Sequence, residues 1–403
     1  MNPVNNEMKK TYRDVYPQNP MGKPKVALDK AHSPYKILSH PQLVRQFIEG
    51  KPFHPIHLRI GITSACNMRC KFCNFHSPNE ANFYDCFSYE DEISTERCIS
   101  FLKEFAGNGG RAVTFCGSGE CTVHGGYVDI CRASHAAGLH IGLITNGSML
   151  HHEKIAGCVC ETHSWVRIGL NAGTASTFSR ITKHKPEGFS RIFTGLRYLR
   201  DNAKNPEFRV GFNFVITKDN YREIPEVAKL GREFGAHYIR FEPEYYSGIG
   251  HKPIEEELET ISDIINAVSS MSSGDYEISV PKLDRGPMDK TNKTEGNFKK
   301  CHYSKFVTAL GADGYMYPCP QVHLNRRYRI GEAVQRGYGD WLVCGEREAW
   351  EKSNPLRTKL CKTCFYRPQN ELLEWLSLKK CDLEETLKEY NREIPETLHR
   401  FFV

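Results

Sequence analysis

Residues 57–76 read HLRIGITSACNMRCKFCNFH, and both the fold and the chemistry of this 403-residue chain turn on them. Cys66, Cys70 and Cys73 form a C-x₃-C-x₂-C triplet directly after an apolar, β-branched run over residues 56–63. Such a run reads as a strand, so the triplet sits on the loop at its C-terminal end, where parallel α/β folds place reactive groups. Three thiolates so close together can each ligate a different iron of a cubane cluster and leave the fourth iron open. A full set of four cysteines would close the cluster for electron transfer alone. Three plus one implies chemistry at the open iron. A structural zinc site or a disulfide set is the competing explanation, but zinc sites usually pair two C-x₂-C units, and no second pair follows nearby.

Working outward, apolar β-branched runs alternate with amphipathic stretches. Strands are expected at 56–63, 112–116, 140–145, 165–170, 209–216 and 238–242. Helices are expected near 94–106, 127–137, 151–158, 188–202 and 221–234. This alternation predicts a parallel sheet with helices outside it. Upstream, residues 1–35 are polar and proline-rich and read as an extended arm, followed by a short helix near 40–49 that Gly50 stops. Downstream, a helical stretch at 254–272 gives way to a Gly-, Pro-, Asn- and Lys-rich segment, which places a boundary near residue 280. The expected units are therefore an arm at 1–50, an α/β unit at 51–280, a small unit at 281–365 and a helical tail at 366–403.

Composition bounds the function classes. Hydrophobic residues make up 39% of the chain and charged residues 25%, ordinary for a globular protein. No apolar run approaches a membrane span of about 18 residues, and the N-terminus lacks the apolar segment of a secretory signal, so a cytoplasmic location is expected. Sixteen cysteines in such a chain point to metal or catalytic sites rather than disulfides. The net charge of +6 permits an anionic substrate without requiring nucleic acid.

The C-x₃-C-x-aromatic-C arrangement after a first strand, with Phe72 as the aromatic residue, resembles the signature of the radical S-adenosylmethionine enzymes. That resemblance implies a partial (β/α)₆ TIM-like barrel, and here the strand–helix alternation points independently the same way. It also implies a 4Fe–4S cluster on Cys66, Cys70 and Cys73. S-adenosylmethionine would chelate the open iron and be cleaved to a 5′-deoxyadenosyl radical that takes a hydrogen atom from the substrate. An electron donor of flavodoxin or ferredoxin type would serve as partner. The end of the second strand, Gly117-Ser118-Gly119-Glu120, resembles the family's G-G-E segment, which meets the cofactor's amino group; Ser118 interrupts the usual adjacent glycines. Asn146, in a "TNG" corner, joins Phe72 and this segment as a cofactor-contact candidate. Asn171 and Asn213 are candidates for its ribose or carboxylate. Arg240 and Glu242 alternate along the sixth strand on one face; they either hold a substrate or form a buried ion pair. Cys116 and Cys121 flank the cofactor segment as candidate hydrogen-atom donors.

A second cysteine group follows the boundary. Cys301, Cys319, Cys361 and Cys364 surround "FVTALGADGYMYPC", which reads as two short strands about a Gly-Ala-Asp-Gly turn. Four thiolates suit zinc or a closed 4Fe–4S cluster. The pattern resembles the twitch module, the shortened SPASM domain of the same enzymes, and Asn370 stands where the full form would carry a further cysteine. An auxiliary 4Fe–4S cluster is the reading its spacing favours. Cys344 and Cys381 read as alternate ligands or as thiols that donate a hydrogen atom, and His76 reads as a packing or hydrogen-bonding residue. Relatives with one such cluster include enzymes that oxidise a secondary alcohol of an aminocyclitol, which implies dehydrogenation of a small polar substrate. A radical epimerase, a peptide-modifying or RNA-modifying enzyme and a non-enzymatic iron–sulfur or zinc protein are the other readings. No winged-helix peptide-recognition domain is visible before the barrel.

Overall fold

The structure, a computed structural model, describes residues 35–75, 84–244, 255–279, 298–352, 364, 366–378, 383–393 and 399–403. Its centre is one mixed sheet. Strands β1 (His57–Ile60), β2 (Ala112–Phe115), β3 (His140–Thr145), β4 (His163–Gly169), β5 (Arg209–Ile216), β6 (Tyr238–Pro243) and β7 (Glu277–Ser279) run parallel in chain order. Helices connect them: α2 (Thr95–Gly107), α3 (Tyr127–Ala136), α4 (Glu153–Thr162), α5 (Ala175–Thr182) with α6 (Glu187–Asn202), α7 (Ile224–Glu233) and α8 (Glu255–Ser269). A short α1 (Pro41–Ile48) precedes them. The α/β partial-barrel expectation holds. β1 is shorter than the sequence suggests, because beyond it the Ile62 carbonyl accepts from Ile93 and Thr63 bridges to Glu92, turning the chain out of the sheet.

The hairpin beyond residue 300 is part of this same sheet. Strand β8 (Val307–Leu310) pairs parallel and in register with β1, His57 opposite Val307 through Ile60 opposite Leu310. Strand β9 (Met316–Tyr317) then pairs antiparallel with β8 about the Gly311–Gly314 turn. The hairpin thus extends the barrel wall on its β1 side. Beyond it follow α9 (Tyr338–Leu342), α10 (Gly345–Lys352), α11 (Arg367–Ser377) and α12 (Leu383–Glu393).

Alternation along the strands separates two environments. Leu58, Ile60, Val113, Ile141, Leu143, Val166, Ile168, Phe212 and Ile239 are buried beneath the helices in the main core. The opposite face carries His57, Arg59, Thr114, Trp165, Arg167, Arg209, Tyr238, Arg240 and Glu242, which line a cavity of about 830 Å³ inside the barrel. Two glycines make room on this inner face: a Cβ on Gly142 would come within 2.3 Å of the Trp165 ring, and one on Gly211 within 2.4 Å of Tyr238.

Residues from both flanks of the barrel close its floor. His57 Nδ1 and the Tyr303 hydroxyl each lie 3.1 Å from the Val403 oxygen, and Phe402 packs edge-on against His57 and Trp165. The buried Lys36 ammonium donates to the carbonyls of His399 and Phe402 at 3.4 Å. A second apolar cluster under this floor joins Ile37, Leu38, Val44 and Phe47 to Leu372, Leu373, Leu376 and Tyr390. Burial, reinforced by Arg167, pulls the Lys36 amine down to about 7 from an ordinary 10.5. A lowered folded-state pKa means the unfolded chain binds more protons between about pH 7 and 10.5, so Lys36 destabilises the fold at neutral pH and its cost fades as pH rises. Lys36→Met is therefore expected to stabilise the protein at pH 7 by about 2–4 kcal/mol, a gain shrinking toward zero by pH 10. Denaturant melts at both pH values check it; equal gains at the two would refute this origin.

Candidate functional site

The cysteine loop sits at the C-terminal mouth of the barrel and is tied there by its backbone. The amides of Arg69 and Lys71 donate to the carbonyls of Thr182 (2.8 Å) and Ile181 (3.0 Å) in the last turn of α5. Arg69 Nη1 closes the loop on the Cys66 carbonyl at 2.6 Å, and Lys71 reaches Asp219 at 3.2 Å. Helix α5 escapes a reading of the sequence because it is short and rich in serine and threonine, residues that favour caps over helix interiors. Its start is visible in retrospect, since the Thr174 hydroxyl caps the amide of Thr177.

Cys66, Cys70, Cys73 and Phe72 all line the cavity. Burial pushes the Cys66 thiol up to about 11 and raises Cys70 further, with the neighbouring cysteines adding to the rise at Cys70. Thiols so disposed ionise when a metal takes the proton's place. Among the described residues no three His, Cys, Asp or Glu side chains converge on a single ion. A cubane asks for something else, three thiolates spread over three corners, and three half-buried cysteines on one short loop fit that donor set.

The segment after β2 packs on this loop with no space for side chains at its glycines. A Cβ on Gly119 would lie 2.3 Å from the Ala65 carbonyl oxygen and 2.5 Å from that of Thr63; one on Gly117 would lie 2.8 Å from the Gly61 Cα. Ser118 and Ser64 share a 2.8 Å hydrogen bond, and the Glu120 amide donates to Ala65. The buried Glu120 carboxylate accepts four hydrogen bonds: from the Thr122 amide and hydroxyl, the Thr145 hydroxyl and the Asn146 amide. Asn146 in turn donates to Asn67 at 2.8 Å and points its amide at the Cys66 sulfur at 4.0 Å. Glu120 and Asn146 line the cavity while bracing the cysteine loop against the ends of β2 and β3.

Deeper in, the Asn171 amide is committed to the protein: it accepts from Val215 at 2.7 Å and donates to Gly169 at 3.4 Å. Asn213 stands in register with Arg240, its Oδ1 buried without a hydrogen-bond partner. Arg240 and Glu242 form an ion pair at 2.5 Å, but it faces the cavity rather than the core.

Neither candidate hydrogen donor is among the residues that line the cavity. A short 3₁₀ turn at Cys121–Val123 rotates Cys121 out of the chamber, leaving it buried with its sulfur against the Ile60 carbonyl. Cys116 is held by the Arg59 guanidinium and is not among the residues lining the cavity. Cys344 is likewise buried, its sulfur directed at the Ile330 carbonyl. Cys361, Cys381 and His76 lie outside the described residues. Of the second cysteine group, Cys301, Cys319 and Cys364 are half-buried. Cys364 accepts from the Tyr366 amide at 3.3 Å and from the Asn370 side chain at 3.9 Å. Asn370 also accepts from the Tyr303 amide, and the Tyr303 and Tyr366 rings stack at 4.0 Å where both line the cavity. Reading the sequence for motifs overlooks Arg59, Arg167, Tyr303 and Tyr366. The signal for the two arginines was present: each is a lone charge within an apolar strand.

Comparison with known proteins agrees with this geometry. Residues 60–231 match the family model described as the radical SAM superfamily. The chain is 25% identical over 197 residues to the Fe-coproporphyrin III synthase of Methanosarcina barkeri, a match covering 49% of this chain and 46% of that protein. It is 27% identical over 227 residues to a probable GTP 3′,8-cyclase of Saccharolobus solfataricus, covering 55% and 67%. The chain thus spans about half the length of the first of these relatives. Among solved structures, Streptococcus suis SuiB bound to S-adenosylmethionine superposes with a TM-score of 0.58 at 13% identity, covering 82% of this chain and 77% of that one. That likeness concerns the fold. The superfamily's cofactors are a 4Fe–4S cluster and S-adenosylmethionine. Among the described residues, no helix is long and apolar enough to cross a membrane.

Proposed function

From a chain whose residues 60–231 form a radical SAM superfamily domain, we propose an oxidoreductase that removes hydrogen from a C–H bond of a small polar substrate of carbohydrate or aminocyclitol type. The observation that carries the reading is the chamber itself, with the cysteine triplet at its mouth and the Arg240–Glu242 pair along its wall. When bound on Cys66, Cys70 and Cys73, the cluster and S-adenosylmethionine supply a hydrogen-abstracting radical. Everything else falls to the protein. The Gly117–Glu120 segment and Asn146 fix the loop, and the barrel wall and Phe402 restrict access of water.

Oxidation of a carbinol to a ketone releases one hydrogen atom, one proton and one electron. Glu242 would accept the proton from a substrate hydroxyl, and Arg240 would orient that hydroxyl. Cys301, Cys319, Cys361 and Cys364 would hold an auxiliary 4Fe–4S cluster, whose chemistry there is acceptance of one electron. Dehydrogenation is favoured over epimerisation because, among the described residues, the cysteines that line the cavity are the triplet itself. A thiol returning hydrogen to the substrate would have to line it too.

The test is iron, sulfide and zinc content of protein purified without oxygen, with 5′-deoxyadenosine measured after reduction in the presence of S-adenosylmethionine. The expected result is about eight irons per chain, falling to about four in Cys361→Ala/Cys364→Ala, with 5′-deoxyadenosine released. About four irons and one zinc in wild type would overturn the auxiliary electron acceptor and with it dehydrogenation. No 5′-deoxyadenosine would overturn the enzyme reading.

A further inference from the structure

The charges inside the chamber do not balance. Lys36, Arg59, Arg167, Arg209 and Arg240 line it, against Glu120, Glu242 and Glu244. Arg240 is matched by Glu242 at 2.5 Å. Arg209 Nη1 donates to the carbonyls of Pro206 and Phe208, and Lys36 to those of His399 and Phe402. Arg59 and Arg167 are different. Arg59 holds the Cys116 thiol and its Nη1 reaches the Tyr366 hydroxyl at 3.3 Å, while its Nε is buried without a hydrogen-bond partner. Arg167 has the Tyr238 hydroxyl at 3.4 Å and lies over the Trp165 ring at 5.6 Å. Among the described residues neither has a carboxylate within ion-pairing distance.

Two guanidinium groups in one chamber, with no carboxylate partner among the described residues, are costly unless an anion completes them. Their placement suits that task. Arg59 on β1 shares a sheet row with Thr114, Gly142 and Trp165; Arg167 on β4 lies one inward-facing position further along, in the row of Ile144, Gly211 and Tyr238. Arg240 stands in the next row toward the cysteine loop, beside Asn213 and Gly169. The chamber therefore grades from paired charge near the loop to unpaired positive charge below it. A guanidinium fork is preorganised for the two oxygens of a carboxylate or phosphate.

We infer that the substrate carries an anionic group, a carboxylate or a phosphate, held by Arg59 and Arg167 in the middle of the barrel, with its reacting carbon directed up past Arg240 and Glu242 toward the cysteine loop. This rests on reading the chamber as the substrate site and narrows the substrate to small polar anions. Arg59 and Arg167 then determine specificity: a neutral analogue leaves both unpaired and is rejected.

The experiment is calorimetric titration of the full chain, purified without oxygen with its iron intact, using inorganic pyrophosphate, succinate and uncharged myo-inositol as probes. At least one anion is expected to bind, more weakly at higher salt, with myo-inositol at least tenfold weaker. Arg59→Gln and Arg167→Gln should each weaken the anion at least tenfold, and Arg59→Lys should restore part of the loss. Binding of pyrophosphate alone assigns a phosphate, and of succinate alone a carboxylate. Unchanged iron content in each variant shows that the barrel is intact. Failure of both anions to bind wild type, or equal binding by the glutamine variants, overturns the inference. The radical reading fails separately, through the absence of 5′-deoxyadenosine whatever the anion result.

Discussion

Cys70→Ser protein is expected to lose the iron of one cluster, about four atoms per chain, and to release no measurable 5′-deoxyadenosine, a drop of at least about 10³-fold in cofactor cleavage. Cys70 is chosen over Cys66 because burial raises its thiol further, so more is gained there when metal takes the proton's place. Serine keeps nearly the same volume but offers an alkoxide that forms far less readily than a thiolate. Local structure should survive, since the loop is held by the Arg69 and Lys71 amides on the end of α5 and not by this sulfur. Circular dichroism unchanged from wild type, together with the missing iron, is the signature sought. Full iron with normal cleavage would remove Cys70 from the ligand set.

The second large effect is expected from a single methyl group. Gly119→Ala places a Cβ within 2.3–2.5 Å of two backbone oxygens, those of Ala65 and Thr63. These atoms belong to the chain segment leading into Cys66, so no flexible side chain can give way. The loop must move by an ångström or so. Displacement on that scale at a reacting centre costs about 10²-fold in rate. The variant should therefore bind S-adenosylmethionine and cleave it about 10²-fold less well, while the second cysteine group keeps whatever metal it holds. Cofactor affinity by titration and cleavage rate by chromatography check it. Wild-type values would show that the segment is not packed as described. Ser118→Ala, which loses only the hydrogen bond to Ser64, serves as the mild comparison.

These two positions show what the sequence makes legible. Thiols cannot disguise their spacing, and hydrophobic period alone locates β3 and β5 to the residue, because every second side chain of those strands is buried. The facing of a residue beyond a strand end is another matter. Cys121 is one residue past Glu120 in sequence, yet a single tight turn sends it into the core while Glu120 lines the cavity. Asn146 and Asn171 read as ligand contacts; the structure shows side chains already engaged in bracing strand ends, a role that depends on partners distant in sequence. Helix α5 and β7 escape the sequence pattern for local reasons, one being rich in capping residues and the other only three residues long. Arg59 and Arg167 needed only the period-two pattern to be read for its exceptions.

The registered pairing of β8 with β1 has a mechanical consequence. The strand that delivers the triplet and the strand that follows Cys301 share a continuous ladder, extended by the Ile56 and Gly61 amides donating to Phe306 and Leu310. Cys301 and Cys319 bracket one rail of that ladder, and Cys66 follows the other. Among the described residues no hinge lies between the rails, so the two strands cannot swing apart without unzipping backbone hydrogen bonds. The spacing between the roots of the Cys66 loop and of the hairpin is then a constant of the architecture, set by strand spacing instead of by thermal motion between lobes.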